Sequence, residues 1–151
     1  MVVKASAIKL KHLLIIPSTL LISIGITYSA LAQSKLYNPM ALPPSNEIVD
    51  KLTENDIPTG MGGFARDYLV KLNKGDNVAI DLTSDSFDAM LTLLSTDGAT
   101  ISENDDGPDG TTNALLFTRI ATTGTYVVRV RAFGETGVGN FKLKVSRLRP
   151  A

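Results

Sequence analysis

The chain has 151 residues, with 15 basic and 15 acidic side chains, one His, no Cys and no Trp. The single His is residue 12, so the chain beyond it offers neither imidazole nor thiol. This excludes Ser-His-Asp and Cys-His catalysis there, together with zinc sites built from His or Cys.

The N-terminal segment has the pattern of a signal peptide. Three lysines precede the apolar run from Leu13 to Ala32, which ends in a small-x-small cleavage site. We therefore predict that residues 1–32 are a signal peptide, and that the protein is periplasmic, on the cell surface or secreted. The alternative is an uncleaved anchor, because the apolar run is almost long enough to span a bilayer. We expect membrane association only if this segment is retained.

Cleavage after Ala32 changes both the length and the charge. It leaves 119 of the 151 residues and removes three lysines, so 12 basic side chains face 15 acidic ones, a formal net charge of −3. That balance argues against nucleic acid as a partner. The remaining length is enough for one domain with its own core. Without Cys, packing must supply the stability.

The chain beyond the cleavage site divides into a tether and a β-rich domain. Residues 33–46 contain three prolines among small and polar residues, and we predict a tether there. In residues 47–148, short runs of β-branched and aromatic residues alternate with Gly, Asp and Asn at spacings of about ten residues. This cadence predicts an all-β antiparallel sandwich of about eight strands, including a weak one at residues 47–53.

Period-two alternation identifies the side chains that face the core, because successive side chains of a strand point to opposite faces. Four runs show it clearly, and their inward positions are Tyr68, Val70 and Leu72; Val78, Ile80 and Leu82; Tyr126, Val128 and Val130; Phe141, Leu143 and Val145. On the strand of Tyr126, the outward positions are Val127, Arg129 and Arg131. The continuous apolar run from Met90 to Leu94 predicts a central strand that is covered on both sides.

Five pieces of sequence in order carry a resemblance to a known family. They are Phe87 to Leu94, Asp97-Gly98, Glu103 to Gly107, Gly124-Thr125-Tyr126 and Gly139 to Leu143. Together they resemble the bacterial pre-peptidase C-terminal domain over roughly residues 47–147. The resemblance implies a jelly-roll-like β-sandwich that is usually appended to secreted peptidases and other exported enzymes and does not itself catalyse a reaction.

The sequence departs from the family in two respects. Residues 113–116 read Asn-Ala-Leu-Leu where the family tends to have Asn-Ser-Arg-Ile, so a polar pair is lost at the start of a strand. The signal peptide and the tether also occupy the chain upstream of Glu47, where relatives carry an enzyme. We therefore expect a stand-alone module.

An acidic loop is the first candidate site. Oxygen-bearing side chains crowd into six residues, namely Asn104, Asp105, Asp106 and Asp109. Such ligands on a glycine-bent loop suit calcium. The family resemblance implies that Asp88, from its Phe-Asp pair, joins them from a neighbouring segment. The alternative is that these side chains form turns by hydrogen bonding to their own backbone. The loop is not an EF-hand, because Gly107 and Leu116 would fall where ligands are required.

A basic row is the second candidate site. Arg129 and Arg131 point outward from one predicted strand, and Lys142 and Lys144 from the next. If the two strands pair as a hairpin, four cations share one face, which suits an anionic polysaccharide, a lipid surface or an acidic protein. The alternative is a solvated face that discourages edge-to-edge aggregation.

The aromatic residues favour a core role over sugar binding. Phe87, Tyr126 and Phe141 are predicted to lie in the core. With no Trp, a sugar-stacking platform would have to come from three other aromatics, which are Tyr37, Phe64 and Phe133.

These observations predict a non-catalytic exported module that binds a polysaccharide, matrix or protein target, with calcium as the one cofactor to consider. The alternative is an accessory subunit that docks on a separately encoded exported enzyme such as a peptidase. A third hypothesis, an enzyme that uses carboxylates around Asp88 and Asp105, has no supporting spacing.

Overall fold

The computed structural model describes residues 37–108 and 110–148. The predicted signal peptide, residues 33–36 of the predicted tether and Asp109 lie outside the described residues. No helix in the described part of the chain is long and apolar enough to cross a membrane.

The described chain consists of ten strands and one turn of 3-10 helix. The strands are β1 (Met40–Ala41), β2 (Glu47–Leu52), β3 (Ile57–Pro58), β4 (Phe64–Leu72), β5 (Asn77–Thr83), β6 (Ala89–Ser95), β7 (Thr100–Asn104), β8 (Ala114–Arg119), β9 (Gly124–Ala132) and β10 (Gly139–Leu148). The 3-10 turn, Phe133–Glu135, lies between β9 and β10. Turn residues separate the strands as the sequence predicts.

The strands form two sheets that face each other. Sheet A has the order β1-β4-β9-β6-β7, with β3 also paired to β4, and sheet B has the order β2-β10-β5-β8. All pairs are antiparallel except β1 with β4. The predicted β-sandwich is confirmed. The two strands beyond the predicted eight have two residues each, and β1 shows that part of the predicted tether pairs with sheet A.

The core lies between the sheets and uses the predicted inward positions. Each of the twelve side chains named from the alternation is at most 7% exposed. Three aromatic rings meet at one end, where Phe141 packs edge-on against Tyr68 and Phe87 with ring centroids 6.2 and 6.3 Å apart. Because edge-to-face contacts add to the energy of burial, these rings help to hold the sheets together.

Sheet A is also covered on its outer face, the face turned away from sheet B. All of β6 from Ala89 to Leu94 is buried, which confirms the prediction of a central strand covered on both sides. Val127 on β9 points outward as predicted and yet is only 4% exposed. Alternation does not predict this burial, because it gives the direction of a side chain and not what lies above it.

A polar network closes one edge of the sandwich. Arg66 on β4 donates from Nη1 to Oδ1 of Asp50 at 2.6 Å and from Nε to Oδ1 of Asp56 at 2.8 Å. The hydroxyl of the buried Tyr68 donates to Oδ2 of Asp50 at 2.8 Å. Since Asp50 belongs to β2 and its two side-chain donors to β4, the carboxylate links sheet B to sheet A.

The condition for the basic row, a hairpin of β9 and β10, is not met. β9 pairs with β4 and β6 in sheet A, whereas β10 pairs with β2 and β5 in sheet B. The 3-10 turn and the glycine-containing segment after it carry the chain from one sheet to the other. Gly139 at the start of β10 has φ +140, and a Cβ there would lie 2.3 Å from that of Ser86, so this crossing requires glycine.

The Asp50 network predicts a contribution to stability that depends on pH. Burial raises the pKa of Asp50, but hydrogen bonds from Tyr68 and the Lys51 amide and the charge of Arg66 outweigh it, so the pKa is lowered overall. A lowered folded-state pKa gives stability that is present above the unfolded value of about 3.9 and is lost as the pH falls through the folded value. We expect Asp50→Asn to reduce the free energy of unfolding at pH 7 and to flatten its decline below about pH 4.

Urea unfolding between pH 2 and 7 measures both effects. Glu54→Gln is the matched control, because Glu54 is exposed and no described ion pair includes it. An acid decline as steep in Asp50→Asn as in the unmodified protein would contradict the assignment.

Candidate functional site

A groove of about 630 Å³ crosses the outer face of sheet A. Its floor includes Ala65, Thr92 and Val127, which are almost fully buried. One wall is formed by β3 and the chain that follows it, up to Met61. The other is the turn between β6 and β7 at residues 95–98.

The polar centre of the groove is an ion pair across two strands. Asp67 on β4 lies directly opposite Arg129 on β9. Arg129 donates from Nε to Oδ1 and from Nη2 to Oδ2 of Asp67, both at 2.8 Å. The Asp67 side chain has 0% exposure and that of Arg129 has 32%. Such bidentate pairing fixes the orientation of the guanidinium as well as its position.

The pair alters the ionisation of the groups around it. The hydrogen bond from Arg129 to Asp67 raises the pKa of the guanidinium, although burial opposes the shift. The pKa of Tyr37 is also raised, first by burial and then by the negative charge of Asp67. At neutral pH the groove therefore contains a charged Arg129 and a neutral Tyr37.

Arg131 gives the groove a second cation. It follows Arg129 by two residues on β9, so both guanidinium groups project from the same face, with Cα atoms about 7 Å apart. No side chain that the structure describes forms an ion pair with Arg131. Across β4 its neighbour is Ala65, which is too small to cover it.

The opposite end of the groove is acidic. Asp97 lies in the turn after β6, where its carboxylate accepts hydrogen bonds from the Ser95 hydroxyl and, at 3.3 Å, the Ala99 amide. The Ser95 bond and then the backbone bond lower the pKa of Asp97. The groove thus runs from a cation to a carboxylate.

This arrangement suits binding better than catalysis. General acid or base catalysis needs a group that can exchange a proton with the substrate. Asp67 is fully buried, and each of its carboxylate oxygens accepts a hydrogen bond from Arg129. The groove nevertheless offers hydroxyl groups, an apolar floor and a fixed cation pair, which is a surface with defined shape and charge.

The structure gives the acidic loop a structural use. The Asn104 side-chain amide donates to the backbone carbonyls of Asp106 and Leu115, both at 2.9 Å, and so ties the end of β7 to β8. Asp88 and Asp106 are exposed, and Asp105 is partly buried. In the described residues, no three acidic, His or Cys side chains lie together as metal ligands. Asp109, the remaining member of the loop, lies outside the described residues.

Calcium binding at this loop stays a prediction with a direct test. A cation that binds the folded chain raises Tm, and at a hundredfold excess over Kd it stabilises by about 2.7 kcal/mol. If the loop binds calcium, the Tm in calcium exceeds that in chelator, and Asp105→Asn removes the difference. Equal Tm values in the two buffers would refute the prediction.

The four predicted basic residues do not form one surface. Arg129 and Arg131 lie on the outer face of sheet A, whereas Lys142 and Lys144 lie on the exposed face of sheet B. Lys142 forms an ion pair with Glu47 at 2.6 Å. The structure therefore leaves the two arginines as the basic part of the groove.

Sequence reasoning missed Asp67 and assigned no binding role to Thr92. Asp67 lies between the apolar Ala65 and Leu69 on the same face of β4, and this pattern signals that the outer face of sheet A is also buried. For Tyr37, the sequence indicates only a ring on which a sugar could stack. Its position beside Asp67 depends on how the N-terminal segment lies along β4, which sequence periodicity does not encode.

The ion pair predicts an asymmetric response to mutation. Arg129→Met leaves Asp67 buried without its partner and should lower the free energy of unfolding by about 3 kcal/mol. The double variant Asp67→Asn/Arg129→Met removes the charge as well and should be more stable than Arg129→Met alone. Arg131→Met is the matched control and should change stability by about 0.5 kcal/mol or less. Urea unfolding at pH 7 measures all three, and equal losses in the single and double variants would contradict the prediction.

Comparison with known proteins agrees with the observed fold. Residues 65–132, from β4 to β9, match the family model of the bacterial pre-peptidase C-terminal domain. No curated protein matches the sequence.

Two solved structures have a similar fold at low sequence identity. The pre-peptidase C-terminal domain of collagenase from Bacillus anthracis is 13% identical, with a TM-score of 0.53, and the match covers 72% of this chain and 93% of that one. PliG from Aeromonas hydrophila, described as a periplasmic inhibitor of g-type lysozyme, is 14% identical, with a TM-score of 0.54 and coverage of 73% and 96%. The family match over residues 65–132 confirms the resemblance to the bacterial pre-peptidase C-terminal domain, and the two solved structures share the sandwich fold.

Proposed function

We propose that this protein is an exported, non-catalytic binding module whose target, a polysaccharide, matrix component or protein, contacts the groove on sheet A. The observation that carries the proposal is the fixed Asp67–Arg129 pair on a buried floor. A rigid charged group in a concave surface binds with less loss of conformational entropy than a mobile surface side chain. The absence of His and Cys from residues 33–151 supports a role without catalysis.

Export is part of the proposal and rests on three supports. The N-terminal segment has the composition of a signal peptide. The matching family is a domain of bacterial pre-peptidases, and one structural neighbour is described as periplasmic. We propose a location outside the cytoplasmic membrane, in the periplasm, on the surface or in the medium.

The second candidate function is docking on a separately encoded exported enzyme. PliG, which shares the fold, is described as an inhibitor of an enzyme. The groove is lined by Tyr37, Met61 and two arginines, and Tyr, Met and Arg are enriched at protein interfaces. Such a partner would meet the same face of sheet A, so both functions place the contact in one position.

A retention experiment tests the groove. The protein purified after export is immobilised and exposed to the exported fraction, and in separate columns to peptidoglycan and collagen. We expect Met61→Asp to reduce retention at least tenfold, because it places a charge on an exposed apolar wall of the groove. Val49→Asp is the matched control, since Met61 is 81% exposed and Val49, on sheet B, is 74% exposed.

The outcomes separate the candidates. One stable protein partner that Met61→Asp loses and Val49→Asp keeps supports docking, whereas retention on peptidoglycan or collagen with the same dependence supports matrix binding. Loss of retention in Val49→Asp alone would move the binding site to sheet B. Hydrolysis of a glycan or peptide by the purified protein, abolished by Asp105→Asn, would replace both proposals with an enzyme.

A further inference from the structure

We propose that the groove binds one acidic side chain, carried on an extended loop of a protein partner, through the guanidinium of Arg131. This inference rests on the proposed binding function and adds the chemistry of the occupant. It starts from a difference between two neighbouring cations. Arg129 forms two hydrogen bonds to Asp67, whereas Arg131 forms no ion pair with a described side chain.

The charge of the groove matches a single carboxylate. Asp67 neutralises Arg129, which leaves one net positive charge at the Arg131 end. Asp97 places a negative charge at the other end and has a lowered pKa, so it is ionised at neutral pH. A polyanion that ran the length of the groove would meet Asp97 and be repelled. One carboxylate near Arg131 is attracted without this penalty.

The geometry suits a planar bidentate acceptor. Arg129 is held by Asp67 through Nε and Nη2, so these two donors are used, and the free edge of its guanidinium remains. Arg131 presents its full set of donors about 7 Å along the strand. Guanidinium and carboxylate groups form paired hydrogen bonds in one plane, which gives orientation as well as attraction.

The walls favour a peptide over a sugar. Ile57, Met61 and Val127 offer apolar contacts to the residues that flank the acidic side chain. Sugar recognition commonly uses an aromatic face, and Tyr37 is the one aromatic residue among the groove's lining residues. Burial and then the nearby charge of Asp67 raise the pKa of its hydroxyl, so Tyr37 lies close to the ion pair. A short acidic segment flanked by aliphatic residues therefore fits the groove best.

Two blocked tripeptides test the chemistry directly. Acetyl-Leu-Glu-Leu-amide and acetyl-Leu-Gln-Leu-amide differ only in the carboxylate, and both are titrated into the ¹⁵N-labelled protein while its amide signals are followed by NMR. We expect the Glu peptide to shift signals of β4, β6 and β9 around the groove, and to bind at least fivefold more tightly than the Gln peptide. Binding should weaken as salt is added, because the groove is partly open to solvent.

Arg131→Gln provides the decisive variant. Since no described ion pair includes Arg131, the substitution should leave the fold intact, as the unchanged signals of sheet B would show. We expect it to abolish the preference for Glu over Gln. Lys142→Gln on sheet B is the matched control for loss of one positive charge, and it should keep the preference.

Three results would overturn the inference. They are equal affinity for the two peptides, a Glu preference that survives in Arg131→Gln, and groove signals that respond to oligogalacturonate and not to the Glu peptide. In each case the proposed function is judged separately by the retention experiment. If Met61→Asp abolishes the capture of a partner but the protein does not prefer the Glu peptide, this inference is refuted and the binding function stands.

Discussion

Asp67 lies in the middle of β4 with a side chain that has no solvent exposure, and Arg129 on the neighbouring strand neutralises its charge. A buried carboxylate without a partner is strongly destabilising, so the register that places these two residues opposite each other is constrained. The same pair orients the Arg129 guanidinium and lies beside Tyr37. The orientation of Arg129, one of the residues that line the groove, therefore depends on this contact.

The way the chain crosses between sheets decides which charges can act together. Because β9 and β10 belong to different sheets, residues that are close in sequence end on opposite outer faces. The lysines of β10 face solvent over sheet B, where Lys142 pairs with Glu47. The arginines of β9 instead lie over a covered face.

The sandwich has two polar linkages with different physical roles. The Asp50 network joins the sheets at one edge and is built from donors that satisfy both carboxylate oxygens, so it serves stability. The Asp67 pair lies on the outer face of sheet A, where Arg129 lines the groove while Asp67 is buried beneath it. One linkage therefore joins the sheets, and the other fixes a cation on the outer face of one sheet.

Sequence by itself determined the class of fold and most of the core. Alternating apolar side chains identified the inward faces of β4, β5, β9 and β10, and the unbroken apolar run in β6 identified a strand covered on both sides, because burial selects side chains directly. The lack of His and Cys beyond residue 12 limited the chemistry in the same direct way.

Tertiary structure alone decided which strands are neighbours, and therefore which side chains meet. The hairpin of β9 and β10 on which the basic row depended does not form, because pairing is set by where the chain crosses between sheets, and a local period of two does not contain that information. For the same reason Asp67 and Arg129, separated by 62 residues, became a site only when β4 and β9 lay side by side.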